Sequence, residues 1–173
     1  MNMRICLLLL FAGLASFSSV AQKKKMEPIE YNDRLAAITD TLYSLGMEWG
    51  TEFQQISASD KDYSKLGAYR KKIYDFADRK IAEVRKEAPV GKGGEVLKTA
   101  MLDFLAFEKN MVNNAFLPIE KMNAGSSQEA WDAALKKLTD DAETEGKILK
   151  KVNEAQEAFA QQNGFVIEET TEE

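Results

Sequence analysis

VLKTAMLDFLAFEKNMVNNAFLPIEKM, Val96–Met122, is the most apolar stretch of the chain beyond its N-terminal leader. Leu97, Met101, Phe104, Met111, Ala115, Ile119 and Met122 recur at helical spacing, and Leu105, Phe107, Val112 and Phe116 widen the stripe on both sides. Apolar residues three and four apart share one face of a helix, whereas a strand would show a repeat of two. A helix over this stretch, at ~1.5 Å per residue, runs roughly 40 Å. Its breadth of apolar surface demands neighbours on more than one side. Pro118 lacks an N–H and carries a bulky ring, so a kink is expected there.

Upstream, Ala88-Pro89-Val90-Gly91-Lys92-Gly93-Gly94 reads as a tight reversal. It is not a phosphate-binding loop, because a helix and not a strand precedes it and no Gly-Lys-Ser or Gly-Lys-Thr opens the next helix. Before it, Tyr63–Glu87 carries the stripe Leu66, Tyr69, Ile73, Phe76, Ala77, Ile81 and Val84. Its outer face is basic, with acids interleaved, which reads as a solvated surface. Ser57–Asp62 is a polar turn. The first helix is expected from Tyr31-Asn32-Asp33, with Asn32 or Asp33 as cap. Its stripe is Leu35, Ile38, Leu42, Leu45, Trp49, Phe53 and Ile56. Gly46 and Gly50, four apart within it, either admit a close neighbour or are a tolerated weakness.

Downstream, Ser126 and Glu129 have capping-box spacing. A fourth helix should carry Trp131, Leu135, Leu138, Ala142, Leu149, Val152 and Phe159 inward and stop at Asn163-Gly164. Four amphipathic helices joined by short turns predict an all-α fold, an antiparallel up-down four-helix bundle. The expected organisation is a signal peptide at 1–21, a flexible leader at 22–30, the bundle at 31–163 and an acidic tail at 164–173.

Arg4, the apolar run Ile5–Phe17 and the exit Ser19-Val20-Ala21 have the three-part layout of an export signal. Cleavage is expected after Ala21, with the product periplasmic, surface-exposed or secreted. Removing 21 of the 173 residues leaves 152, enough for one domain with a full core. Arg4 is the one charged residue removed, so the net charge moves from −5 to −6. An acidic chain without a basic stripe is a poor nucleic-acid binder. Cys6, the only cysteine, lies near the start of the apolar run and not at its end, which disfavours lipidation there and leaves a mature chain without disulfides or thiolates.

The chain contains no histidine. That removes Glu-x-x-His di-metal sites, His-ligated haem or zinc and the serine–histidine triad. No Asp-x-Asp-x-Asp-Gly calcium loop is present. Met101, Met111 and Met122 fall at core spacing and read as adaptable packing, not as a copper site. No cofactor, metal site or catalytic set is expected.

Two acids fall on core tracks, Glu108 between Phe104 and Met111 and Glu145 between Ala142 and Leu149. Counted from the turn near Gly125, they lie at similar depth. Facing inward, they would form a carboxyl pair whose repulsion raises one pKa and which could bind a ligand or cation. Turned by one residue, each would sit at the edge of its stripe beside Lys or Arg.

The expected function is therefore a non-enzymatic envelope or surface protein that binds an envelope protein or component; membrane association is left open, and would not run through a mature transmembrane helix. An alternative is a carrier of a small ligand or cation between the helices, resting on Glu108, Glu145, Gly46, Gly50 and Gly146. Tyr31-Asn32-Asp33, the segment Phe107-Glu108-Lys109-Asn110-Met111-Val112-Asn113-Asn114, and the ending Ala158-Phe159-Ala160-Gln161-Gln162-Asn163-Gly164-Phe165 resemble a family of exported bacterial surface proteins of helical-bundle type. The resemblance implies export and a bundle, and carries over no activity.

Overall fold

A computed structural model describes residues 26–59 and 61–167. The expected export signal and the residues from Glu168 onward lie outside them. Among the described residues every regular element is helical, and together they build an all-α bundle of four rods. The rods are α1 (Pro28–Ala58), α2 (Leu66–Lys86, entered through one 3-10 turn at Tyr63–Lys65), a composite third rod, and α5 (Gln128–Asn163). The third rod runs from α3 (Gly94–Met111) through a π-helical segment (Val112–Phe116) into the short α4 (Leu117–Glu120). None of the described helices is long and apolar enough to cross a membrane.

The third rod contributes most to the core. Leu97, Met101, Leu105, Ala115 and Ile119 are fully enclosed; α2 and α5 flank the rod, and α1 reaches it through Trp49 on Phe116. The expected kink at Pro118 takes the form of the π segment just before it, where the Leu117 N–H reaches back to the Val112 carbonyl. One wider turn lets the backbone approach a proline without breaking the rod.

Aromatic contacts close both ends. At one end Phe116 stacks on Trp49 at a centroid distance of 4.1 Å, Trp49 lies 5.5 Å from Phe53, and Tyr63 meets Trp131 at 4.7 Å. At the other, Tyr31 and Phe165 both pack edge-on to Phe159. Residue 165, expected in the tail, is thus held against the bundle.

Several boundaries differ from the sequence expectation. α1 begins at Pro28, not at Tyr31, because Pro occupies the first turn at no hydrogen-bonding cost and the Glu27 N–H donates to Glu30 Oε2 at 3.1 Å. Asn32 does not cap; it is buried inside the helix. α1 also continues to Ala58, into the stretch expected to turn. The cap of α5 is Ser127, one residue later than expected, its hydroxyl accepting from the Ala130 N–H. Ser126 instead accepts from the Asn123 N–H within the preceding turn. The inward track of α5 runs through Ala134, Asp141, Val152, Gln156 and Phe159, which leaves Ala142 exposed and Leu135 39% exposed.

The reversal before α3 uses left-handed backbone at Gly91 (φ 70°) and Gly93 (φ 77°). Asn163 clamps it from the end of α5: its Oδ1 accepts from the Lys92 N–H at 3.0 Å, and its Nδ2 donates to the Lys92 carbonyl at 2.9 Å. The close-approach reading of Gly46 and Gly50 does not hold, since a Cβ added at either meets nothing within 4 Å.

Gly50→Ala and Gly146→Ala, both in open helical positions, should each stabilise the protein by about 0.5–1 kcal/mol through helix propensity. Gly91→Ala should destabilise it, because a Cβ there would sit 2.5 Å from the clamped Asn163 Oδ1 at a positive φ. Urea denaturation followed by circular dichroism measures all three, and a lowered midpoint for both Gly50→Ala and Gly146→Ala would contradict the reading of those positions as unfilled space.

Candidate functional site

Glu108 projects from the third rod one turn after Phe104 and Leu105 and one turn before Met111 and Val112. Those neighbours are buried on the core side, so the helical repeat carries Glu108 inward with them. It is 7% exposed, and its Oε1 is buried with no hydrogen-bond partner. Glu145 reaches the same place from α5 and is half-buried. The two carboxyl groups face each other closely enough to form a side-chain hydrogen bond when one is protonated.

Neither carboxyl has a basic partner among the described residues. Lys109, next along the chain, turns away to Asp78 on α2 at 2.5 Å. Burial pushes the Glu108 pKa up from 4.5 to about 8, with repulsion from Glu145 and their mutual hydrogen bond adding to the rise. Burial also raises Glu145, partly offset by the hydrogen bond with Glu108. Loss of hydration without a compensating cation disfavours the charged form, so the pair retains a proton where exposed carboxyls have lost theirs.

Beside the pair lies a cavity of about 230 Å³, walled by Leu42, Ile73, Met111 and Phe116 and rimmed by Tyr43 and Met47. Gly46 opens onto it from α1. A second hollow of about 390 Å³ shares Tyr43 and Glu145 and continues to Asp40 and Asn153. Gly50 and Gly146 line neither hollow. No group of three or more His, Cys, Asp or Glu side chains capable of holding a metal occurs among the described residues. Chemically, the site offers a hydrogen-bond acceptor or a shared proton at the side of an apolar pocket.

The structure thus brings Glu108 and Glu145 together, on the inward alternative and not at the solvated edges. Sequence reading missed Tyr43 and Met47, which are 67% and 54% exposed. Their signal was available: two large apolar residues one turn apart on α1, off the core stripe, flanking Gly46.

Comparison of the chain with protein-family models, with curated proteins and with solved structures finds no match.

The Glu108 shift makes stability fall with rising pH. The folded chain keeps a proton that the unfolded chain releases above its ordinary value near 4.5, so stability declines from there to about pH 8 and then levels. The loss should be on the order of 1 kcal/mol per pH unit within that window. Glu108→Gln should remove this component, so the two proteins' denaturation midpoints should diverge as pH rises from 5 to 8, with the variant more stable at pH 8. Parallel curves would refute the burial of an ionisable Glu108.

Proposed function

We propose that this is a non-enzymatic, exported binding protein that holds a small ligand between its helices at the Glu108–Glu145 pair. The reading takes 1–21 as a cleaved export signal, as the resemblance to exported surface bundles implies, and the bundle as antiparallel up-down. Supporting that order, Arg34 near the start of α1 pairs with Glu87 just past the end of α2, while Glu48, late in α1, pairs with Lys72, early in α2.

One observation carries the reading: a buried carboxyl pair beside a cavity, whose Glu108 Oε1 is served by no group of the described chain outside the pair. An isolated acceptor costs roughly 1–3 kcal/mol when left unsatisfied, and a leucine in its place would have completed the core. A donor supplied from outside resolves that cost, and a mid-bundle pocket is a frequent place for one.

Contact with an envelope protein is a second reading, favoured by the upper track of α5. There Leu135 and Ala142, expected inward, stay uncovered.

Native mass spectrometry on protein recovered from its own host's envelope tests both. The expected spectrum is a chain beginning at Gln22 that carries a small non-covalent mass, and the mass should be absent from Glu108→Gln prepared in the same way. A bare chain co-isolated with another protein would overturn the ligand reading in favour of the second.

A further inference from the structure

We propose that the mid-bundle site takes an organic monocation, a primary ammonium on a compact apolar body, with its nitrogen seated against Glu108 and Glu145. This deepens the ligand-binding reading above and rests on it.

Beyond the proton shared within the pair, no other group of the described chain donates to Glu108 Oε1. Glu108 is 7% exposed and its Oε1 is unpartnered. No basic side chain pairs with it or with Glu145 among the described residues, so an anionic ligand would meet only repulsion. Two facing carboxyls that share one proton carry a single negative charge, which matches a monocation. An ammonium group brings three donors on one atom, enough to serve Glu108 Oε1 and Glu145 together.

The remaining surface decides what the nitrogen is attached to. A hard divalent metal takes six to eight oxygen ligands, whereas the cavity sets two carboxyls among Leu42, Ile73, Met111 and Phe116. Those walls suit hydrocarbon. Met111 and Met47 adapt to irregular shapes, and the rings of Phe116 and Tyr43 add attraction for a nearby cation. The cavity of about 230 Å³ exceeds the roughly 150 Å³ that accommodates benzene in an engineered core, leaving space for a ring or short alkyl chain and its ammonium. Exposed Tyr43 and Met47 form the rim through which such a body would enter.

Isothermal titration of the full chain with benzylammonium and n-hexylammonium tests this, with benzyl alcohol as the neutral counterpart, benzoate as the anionic one and calcium chloride as the metal probe. Saturable one-to-one binding is expected for at least one ammonium, about tenfold or more tighter than for benzyl alcohol, with benzoate and calcium not binding. Glu108→Gln and Glu145→Gln should each weaken the ammonium by about tenfold or more while leaving the weak binding of benzyl alcohol. The second variant alters the more exposed partner and guards against misfolding of the first. Gly46→Leu, which places a side chain at the cavity, should abolish binding of both probes.

Equal affinity for benzyl alcohol, or calcium binding in place of the ammonium, would overturn the ammonium class and leave a ligand site at the pair. No binding of any probe, while the protein from its host retains a small mass, would also overturn the class alone. No binding together with a bare native chain would overturn the site itself.

Discussion

The third rod gives water one strip, through Glu95, Thr99, Asp103, Asn110 and Asn114, and buries most of the rest; the remaining architecture follows from that constraint. With Leu97, Met101, Leu105, Ala115 and Ile119 all enclosed, burial at ~25 cal/mol per Å² of apolar surface rewards covering its apolar sides. α2 and α5 flank it, and α1 meets it through Trp49 on Phe116. The same constraint buries Glu108, because an acid on the helical track of Phe104, Leu105, Met111 and Val112 has no route to solvent that leaves those four inside.

The ion pairs between rods are subordinate to this packing. Arg70 and Glu120 join α2 to α4, and Gly67 leaves room for them, since a Cβ there would come within 2.9 Å of the Glu120 carboxylate. The basic face of α2 is largely answered by acids: Lys71 by Asp75, Lys72 by Glu48, and both Arg79 and Lys80 by Glu83. Of these only Lys72–Glu48 crosses between rods, the others lying within α2; exposed pairs contribute roughly 0–1 kcal/mol each, so packing and not ion pairing holds the bundle together.

The helical periods of α1, α2 and the third rod were legible because their apolar residues are large and regularly spaced. The pairing of Glu108 with Glu145 was legible as one of two alternatives, since a repeat of 3.6 residues locates a residue on a face only to within about one position. What decided between them is packing: α5 is turned so that Asp141, not Ala142, faces in, with Lys137 one turn earlier paired to its carboxylate. The Lys137–Asp141 pair lies at i,i+4 within α5 and stands in the sequence, but a reading that follows apolar residues alone passes over an Asp on a core track. The cap at Ser127 was missed because Ser126 and Ser127 stand side by side and the preceding turn engages the first; the start at Pro28 was missed because Glu27 and Glu30 form the capping box ahead of the more usual cap residues Asn32 and Asp33. The π segment was half-legible, in that Pro118 announced a distortion but not which carbonyl would absorb it.

Natural sequences agree with their folds at most positions, and disagreements concentrate where function is served. Here several disagreements gather at one level of the bundle. Gly46 leaves open space in a helix that an alanine would strengthen, Glu108 places an ionisable group among leucines and methionines, and the π segment begins four residues later and contributes Phe116 to the cavity wall. Each has a separate structural cost: helix propensity at Gly46, desolvation at Glu108 and irregular backbone at Val112–Phe116. Other departures lie elsewhere: Tyr31, Asn32, Arg34 and Trp49 also bury polar atoms without a partner, and hollows lie beside Phe165 at one end and beside Trp131 at the other. What sets the level of Glu108 apart is that Gly46, the Glu108 carboxyl and Phe116 of the π segment all border one hollow.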